Sequence, residues 1–239
     1  MADPERTEAE RTEAERIVER YRQRDASAAL SGFWSLTNPV ALHLAQERER
    51  VVLALLAGQG VDLRAMQVLD VGCGAGGEFA NYLRWGVPLD GLFGVDLVAP
   101  RVLAATRAFG PRVTQASGAA LPFADGRFDL VVQNAVFSSI VDDAVRARVA
   151  AEMLRVLRPG GWLLWYDAER SRNRDPHFRD VPDTELRALF PGLPLQQRRL
   201  TTHLGLLRRV HALLGERGMA VLELTGLFKT HMLALGHKP

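Results

Sequence analysis

From residue 66 onward, short apolar runs and amphipathic segments alternate along the chain. Apolar stretches at 66–71, 91–96, 112–115, 129–134 and 161–167 predict strands, and the spacing at 76–85, 99–109 and 143–157 predicts helices between them. Leu130-Val131-Val132 and Leu163-Leu164-Trp165 lack polar alternation, as strands covered on both faces of a parallel sheet require. The pattern predicts a doubly wound α/β sheet. Beyond it, Pro182 to Phe190 reads as a helix closed by Pro191-Gly192. A strand near 195–202, a helix over 203–217 and a last strand over 226–237 follow.

The N-terminal quarter does not fit this alternation. Residues 5–24 are dominated by Glu and Arg, with Arg-Thr-Glu-Ala-Glu at 6–10 repeated at 11–15, and the apolar stripe starts only at Ile17, Val18 and Tyr21. This predicts a frayed start and then a helix with solvated charged faces. From 28 to 57, aromatic and apolar residues recur at helical spacing, broken by Asn38-Pro39 ahead of a helix over 40–56. The expected organisation is a charged helical arm at 1–24 and a single domain at 25–239. Within that domain, 25–60 forms a helical cap, 61–168 the core, and 169–239 a substrate-side insertion with the last strands.

Composition narrows the class. The 239 residues are 47% hydrophobic and 24% charged, with a net charge of +2 and one cysteine. No apolar run reaches the roughly 20 residues of a membrane span. The lone cysteine excludes an intramolecular disulfide, and the charged N-terminus is unlike a signal peptide, so the expected location is cytoplasmic. Basic residues are spread and mixed with acids, with no stripe interleaved with aromatics. Hence neither a nucleic-acid nor a membrane partner is expected, while a small-molecule partner and a homodimer both fit.

The chemistry concentrates in Asp70-Val71-Gly72-Cys73-Gly74-Ala75-Gly76-Gly77, where a strand ends in an acid and opens into a glycine-rich turn before a helix. Such a turn lets a nucleotide-like ligand lie against main-chain N–H groups. Gly72, Gly74 and Gly77 satisfy the dinucleotide spacing G-x-G-x-x-G, and Gly72, Gly74 and Gly76 satisfy D-x-G-x-G-x-G. Asp96, which closes the next strand, suits the ribose hydroxyls of an adenosine ligand in either register. A nicotinamide oxidoreductase and a cofactor-binding module without catalysis therefore remain alternatives.

Two further segments bear on the cofactor: Leu121 to Asp129 ahead of the fourth strand, and Met153 to Gly161 ahead of the fifth. With Asp70 to Gly76 and Asp96, they resemble the class I S-adenosylmethionine-dependent methyltransferases from about Gln67 to Asp167. The resemblance implies a Rossmann-like seven-stranded mixed sheet with helices on both faces and an N-terminal helical cap. It implies S-adenosyl-L-methionine as cofactor and S-adenosyl-L-homocysteine as product. Asp70 with Gly72, Cys73, Gly74 and Gly76 would hold the methionine portion, and Asp96 the ribose. Leu97, Ser117, Gly118 and Ala119 would surround the adenine, and Asn134 would sit beside the sulfonium. Ser117 stands where many relatives carry Asp, and Ser138-Ser139 where many carry a His pair, so neither of those contacts transfers. A narrower resemblance, through Phe137 to Ile140, Trp165 to Asp167, Asn173 to Arg179, Leu189 to Gly192, Arg199 to Thr201 and Thr230-His231, is to bacterial enzymes of glycan or natural-product pathways.

A hydroxyl or protonated-amine acceptor needs a base, worth about 10²- to 10⁴-fold. His203, Tyr166 and Asp167 are the catalytic candidates, and Trp34, His43, Phe137 and Tyr166 the candidate substrate contacts. No metal is expected, since the fourth strand ends in Gln133-Asn134 where an acidic ligand would be wanted. The reading is methyl transfer to a small molecule, with O-methylation first and N- or C-methylation as alternatives.

Overall fold

A computed structural model describes the chain except residues 1–7, 28–32, 111, 172 and 174. The start of the expected arm, the start of the expected cap and part of the 173–179 stretch thus lie outside the described residues. The elements are α1 (Glu8–Asp25), α2 (Pro39–Gly58), β1 (Val68–Val71), α3 (Phe79–Arg84), β2 (Leu92–Asp96), α4 (Ala99–Phe109) and β3 (Val113–Gln115). After them come β4 (Phe128–Asn134), α5 (Asp143–Val156), β5 (Leu157–Ala168), α6 (Asp183–Leu189), β6 (Leu195–Thr202), α7 (Leu204–Leu224) and β7 (Lys229–His237).

The strands form one seven-stranded sheet in the order β3-β2-β1-β4-β5-β7-β6. β1 to β5 pair in parallel, and β7 runs antiparallel to both β5 and β6. Strand order reverses between β1 and β4, which opens a crevice at their carboxyl ends. Alternate side chains divide between two cores, because successive residues of a strand point to opposite faces. Leu69, Val71, Val131, Leu163 and Trp165 pack with Val149 and Met153 of α5 and Ile17 of α1. Val68, Leu130, Val132 and Leu164 pack with Val52 and Leu56 of α2 and with Phe79 and Tyr82 of α3. Asp70 and Tyr166 share the parity of this second set, so both face α2 and α3.

Element boundaries differ from the sequence pattern where glycines intervene. α3 starts at Phe79 rather than 76, because Gly76 has φ +81° and holds the end of the turn. β5 starts at Leu157, and Arg158 to Gly160, with Gly160 at φ +72°, form an irregularity accommodated by a register shift between Phe128 and Leu130. α7 runs seven residues past its expected end at 217. Gly215 (φ 61°, ψ −156°) kinks it, and the helix resumes because Met219 buries itself with Val40, Leu44 and Leu207.

α1 departs from the expected solvated arm. Positions 10, 13, 14, 17 and 21 form one helical face turned towards the sheet's carboxyl edge. Glu13 is only 5% exposed and accepts hydrogen bonds from Arg16 and from the backbone N–H of Val141 (2.6 Å). Arg16 donates to the carbonyl of Ser139, Tyr21 and Ser139 share a hydroxyl hydrogen bond of 2.9 Å, and Arg101 donates to Asp25 at 2.7 Å. Burial alone would raise the Glu13 carboxyl, but these hydrogen bonds outweigh it and hold the group below its usual range.

Candidate functional site

The glycine turn is built around close approaches. The N–H groups of Gly72 and Cys73 both donate to the carbonyl of Val95, which folds the turn back over β2. Gly72 has φ +76°, and a Cβ there would stand 2.4 Å from Cγ2 of Val136. A Cβ on Gly76 would likewise meet the Phe109 ring at 2.7 Å. At the end of β2, Asp96 accepts from Gly74 N–H (2.9 Å) and Val98 N–H (2.8 Å), so the acid that would face a ribose also holds the turn to the next helix. Ala135, a non-glycine at φ +58°, turns the chain just after Asn134.

These pieces enclose a narrow cavity of about 90 Å³. Its walls are Val71 and Gly72, Asp96 to Val98, Ala116 to Gly118, Asn134 to Val136, and Val149, with α1 laid across as a roof. Gly72, Arg101 and Asn134 also line a neighbouring open cleft, together with Asp70, Cys73, Gly74, Glu78, Arg24, Asp25 and Trp34. A third recess under α2 is lined by Arg48, Glu78, Tyr82, Asn134 and Tyr166. There Arg48 pairs with Glu78, donates to Asn134 Oδ1 at 3.2 Å, and lies over the Tyr166 ring, 5.3 Å from its centre.

Asp70 is the least satisfied group in this arrangement. It is 1% exposed, Tyr82 reaches its Oδ2 at 3.4 Å, and its Oδ1 has no hydrogen-bond partner among the described residues. Burial, with repulsion from Glu78 and Asp96, pushes the carboxyl well above the usual range. A buried acid with an open oxygen, set beside a glycine cradle, fits the α-ammonium of an amino-acid ligand. Apolar walls at Leu97, Ala116 and Val149 and the ribose-height carboxylate of Asp96 fit the adenosine half of the same molecule. S-adenosylmethionine therefore matches the donors and walls present.

Residues 69–165 match the family described as "Methyltransferase domain". They form a class I methyltransferase domain, of the S-adenosylmethionine-dependent type. Over 132 residues the chain is 33% identical to the Mycobacterium ulcerans phthiotriol/phenolphthiotriol dimycocerosates methyltransferase 1, which covers 54% of this chain and 47% of that one. It is 36% identical over 115 residues to the Bos taurus protein named "Probable tRNA methyltransferase 9B", covering 48% and 24%. These alignments span less than half the length of those relatives. Among solved structures, a SAM-dependent methyltransferase from Thermotoga maritima superposes over 95% of this chain and 99% of its own, with a TM-score of 0.59 at 18% identity. The cyclase SpnF superposes over 81% of this chain and 82% of its own, with a TM-score of 0.57 at 19% identity. Both likenesses concern the fold.

Within the methyltransferase domain, the structure gathers most of the expected cofactor residues. Gly72, Asp96, Leu97, Ser117, Gly118 and Asn134 line the roofed cavity, while Asp70, Cys73 and Gly74 line the cleft. Gly76 supports the turn from behind against Phe109, and Ala119 is buried beside the cavity without lining it. The Ser117 hydroxyl accepts from Ala119 N–H at 3.2 Å, a local turn contact.

Several expected roles need correcting. His203 is exposed as the N-cap residue of α7 and is not among the residues lining these cavities. Asp167 is fully buried, and its carboxylate accepts from the N–H groups of Ser138 and Ala168. Burial raises it to about 6, and its visible work is to hold the loop after β4. Phe137 is wholly buried between Trp165 and Phe190 and is not among the residues lining these cavities. His43 stands 3.1 Å from Glu223 at the α2–α7 contact. Trp34 lines the cleft and Tyr166 the recess below it.

Arg48, Arg101, Glu13, Ile17 and Tyr21 were absent from the sequence expectation. The α1 residues carried a signal in their common helical face, masked by two glutamates on that face. Arg48 carried none, since its partners come from β4, α3 and β5.

The state of Asp70 gives a pH test. Its raised folded-state value means that the unliganded protein loses stability as pH climbs through that value, and pairing with an ammonium opposes the loss. Affinity for S-adenosylhomocysteine should therefore rise as pH climbs through that raised value, with proton release on binding. Calorimetry in two buffers of different ionisation enthalpy measures both. Asp70→Asn should flatten the pH dependence and weaken binding while leaving the thermal midpoint equal or higher; an unchanged pH profile would contradict this role.

Proposed function

We propose that the protein transfers the methyl group of S-adenosylmethionine to a small-molecule acceptor, with O-methylation of a secondary metabolite or glycan precursor as the leading reading. The observation that carries it is a pair of neighbouring spaces that share Gly72, Arg101 and Asn134 as lining. The adenosine space is roofed by α1, and the other is open at Trp34. A roofed donor site beside an open acceptor site suits a direct displacement, in which alignment and exclusion of water are the main tasks.

When bound, S-adenosylmethionine supplies an activated methyl on a sulfonium. Asp70 would pair with its ammonium, Asp96 would accept from its ribose hydroxyls, and Asn134 would stand where the sulfur points. Tyr166, raised to about 12 by burial and hydrogen-bonded to Thr201 at 2.6 Å, keeps its proton at neutral pH. It serves as a positioning hydroxyl and not as a base. His231, stacked on Tyr166 and lowered to about 4 by burial, is neutral there. The pairing of Arg48 with Glu78 and of Arg101 with Asp25 supports a small acceptor over an RNA.

N- or C-methylation is favoured by one observation: no histidine is among the residues lining the three cavities. An acceptor that is already nucleophilic needs no base. The test is incubation with methyl-labelled S-adenosylmethionine and panels of phenols, sugars and amines, read by mass spectrometry. Labelled product in the oxygen panels supports the first reading, and label in the amine panel alone supports the second. Tight S-adenosylhomocysteine binding with no transfer to any panel would overturn both in favour of a cofactor-binding module.

A further inference from the structure

We infer that the outer face of α7, with the turn after it, is a peripheral docking surface for an anionic lipid membrane. α7 uses Leu207 and Met219 to pack on Val40 and Leu44 of α2. On either side of the Gly215 kink, Leu213 and Leu214 and then Val221 and Leu224 are exposed to solvent, and the following turn presents Leu227 and Phe228. These six side chains are between 56% and 86% exposed. Single exposed leucines are ordinary, but a dense run of large apolar side chains marks a surface that meets something apolar.

Charge selects the occupant. Arg208, Arg209 and Arg217 are exposed on the same helix, against one exposed acid, Glu216. The other acid of the second half, Glu223, is engaged by Arg50 at 2.9 Å. A two-fold pairing of this face with itself would bring like charges together. Anionic headgroups would instead neutralise them while the leucines and Phe228 sink into the acyl boundary. Such contact needs no spanning segment, and no described helix is long and apolar enough to cross a membrane.

The surface adjoins the cleft. Arg208 lies 5.8 Å from the centre of the Phe33 ring, Phe33 packs edge-on against Trp34 at 4.9 Å, and Trp34 lines the cleft. Trp34 and Leu36 are themselves 49% and 61% exposed there. The inference concerns docking alone and stands apart from the methyl-transfer reading.

The test is flotation of the full chain with vesicles of phosphatidylcholine, alone or mixed with phosphatidylglycerol. The expected result is capture by the mixed vesicles only, released by salt. Leu224→Glu with Phe228→Glu should abolish capture, and Arg209→Gln and Arg217→Gln should each weaken it about fivefold. Unchanged thermal midpoints and S-adenosylhomocysteine affinities would show that these variants fold. If the apolar pair fails to fold, the two arginine variants carry the test. Absence of capture, capture indifferent to the variants, or a dimer in light scattering that the apolar pair splits would each overturn the inference.

Discussion

Asp96→Ala is expected to weaken S-adenosylhomocysteine binding by about 10²- to 10⁴-fold, because two charge-assisted hydrogen bonds of about 1.5–3 kcal/mol each are removed together. The carboxylate accepts from Gly74 and Val98, leaving its remaining lone pairs towards the cavity. The substitution thus removes the ribose acceptors and frees the turn that would cradle the methionine half. Asp96→Asn keeps one acceptor oxygen and should fall between wild type and Ala. Calorimetric titration separates the three, and undiminished affinity in Asp96→Ala would remove this residue from the cofactor site.

The second large effect concerns stability. Lys229 at the start of β7 and Glu47 of α2 form an ion pair of 2.7 Å with both side chains at most 5% exposed. Lys229 also donates to Thr202, and the other Glu47 oxygen accepts from the N–H of Thr201. Thr201 is a non-glycine residue at φ +62°, held in that conformation while its hydroxyl meets Tyr166. Lys229→Met should therefore cost about 3–5 kcal/mol by leaving Glu47 charged and buried. That corresponds to a fall in Tm of roughly 6–20 °C for a chain of this size. Adding Glu47→Gln should recover much of the loss, because Gln still accepts from Thr201 and carries no charge. A Lys229→Met protein as stable as wild type would show that the pair contributes little.

Asp96 was legible from its place at the end of a predicted strand, whereas the Lys229–Glu47 pair was not, since its partners lie 182 positions apart. The parallel strands were legible because Leu130 to Val132 and Leu163 to Trp165 must be apolar on both faces, a requirement that local composition records directly. The turn at Gly72 to Gly76 was legible for the same kind of reason, since its positive φ values leave little choice but glycine. The roof over the cavity was hidden. Glu13 looks solvated in sequence and is buried only because Arg16 and Val141 satisfy it, and Val141 is 128 positions away. His203 and Asp167 stand at strand ends, but side-chain direction and burial decide what faces the cleft. His203 turns out to solvent, and Asp167 turns into the loop after β4. The exposed face of α7 was obscured because Gly215 to Gly218 reads as a stop, whereas Met219 finds a tertiary partner and the helix continues.

The measurement that bears most directly on the central claim is a paired calorimetric titration of the full chain with S-adenosylhomocysteine and with NADH. The account predicts saturable binding of S-adenosylhomocysteine at one site per chain, strengthened as pH rises, and no heat of binding with NADH. Saturable NADH binding with no response to S-adenosylhomocysteine would contradict it, and would return the glycine turn to its dinucleotide register.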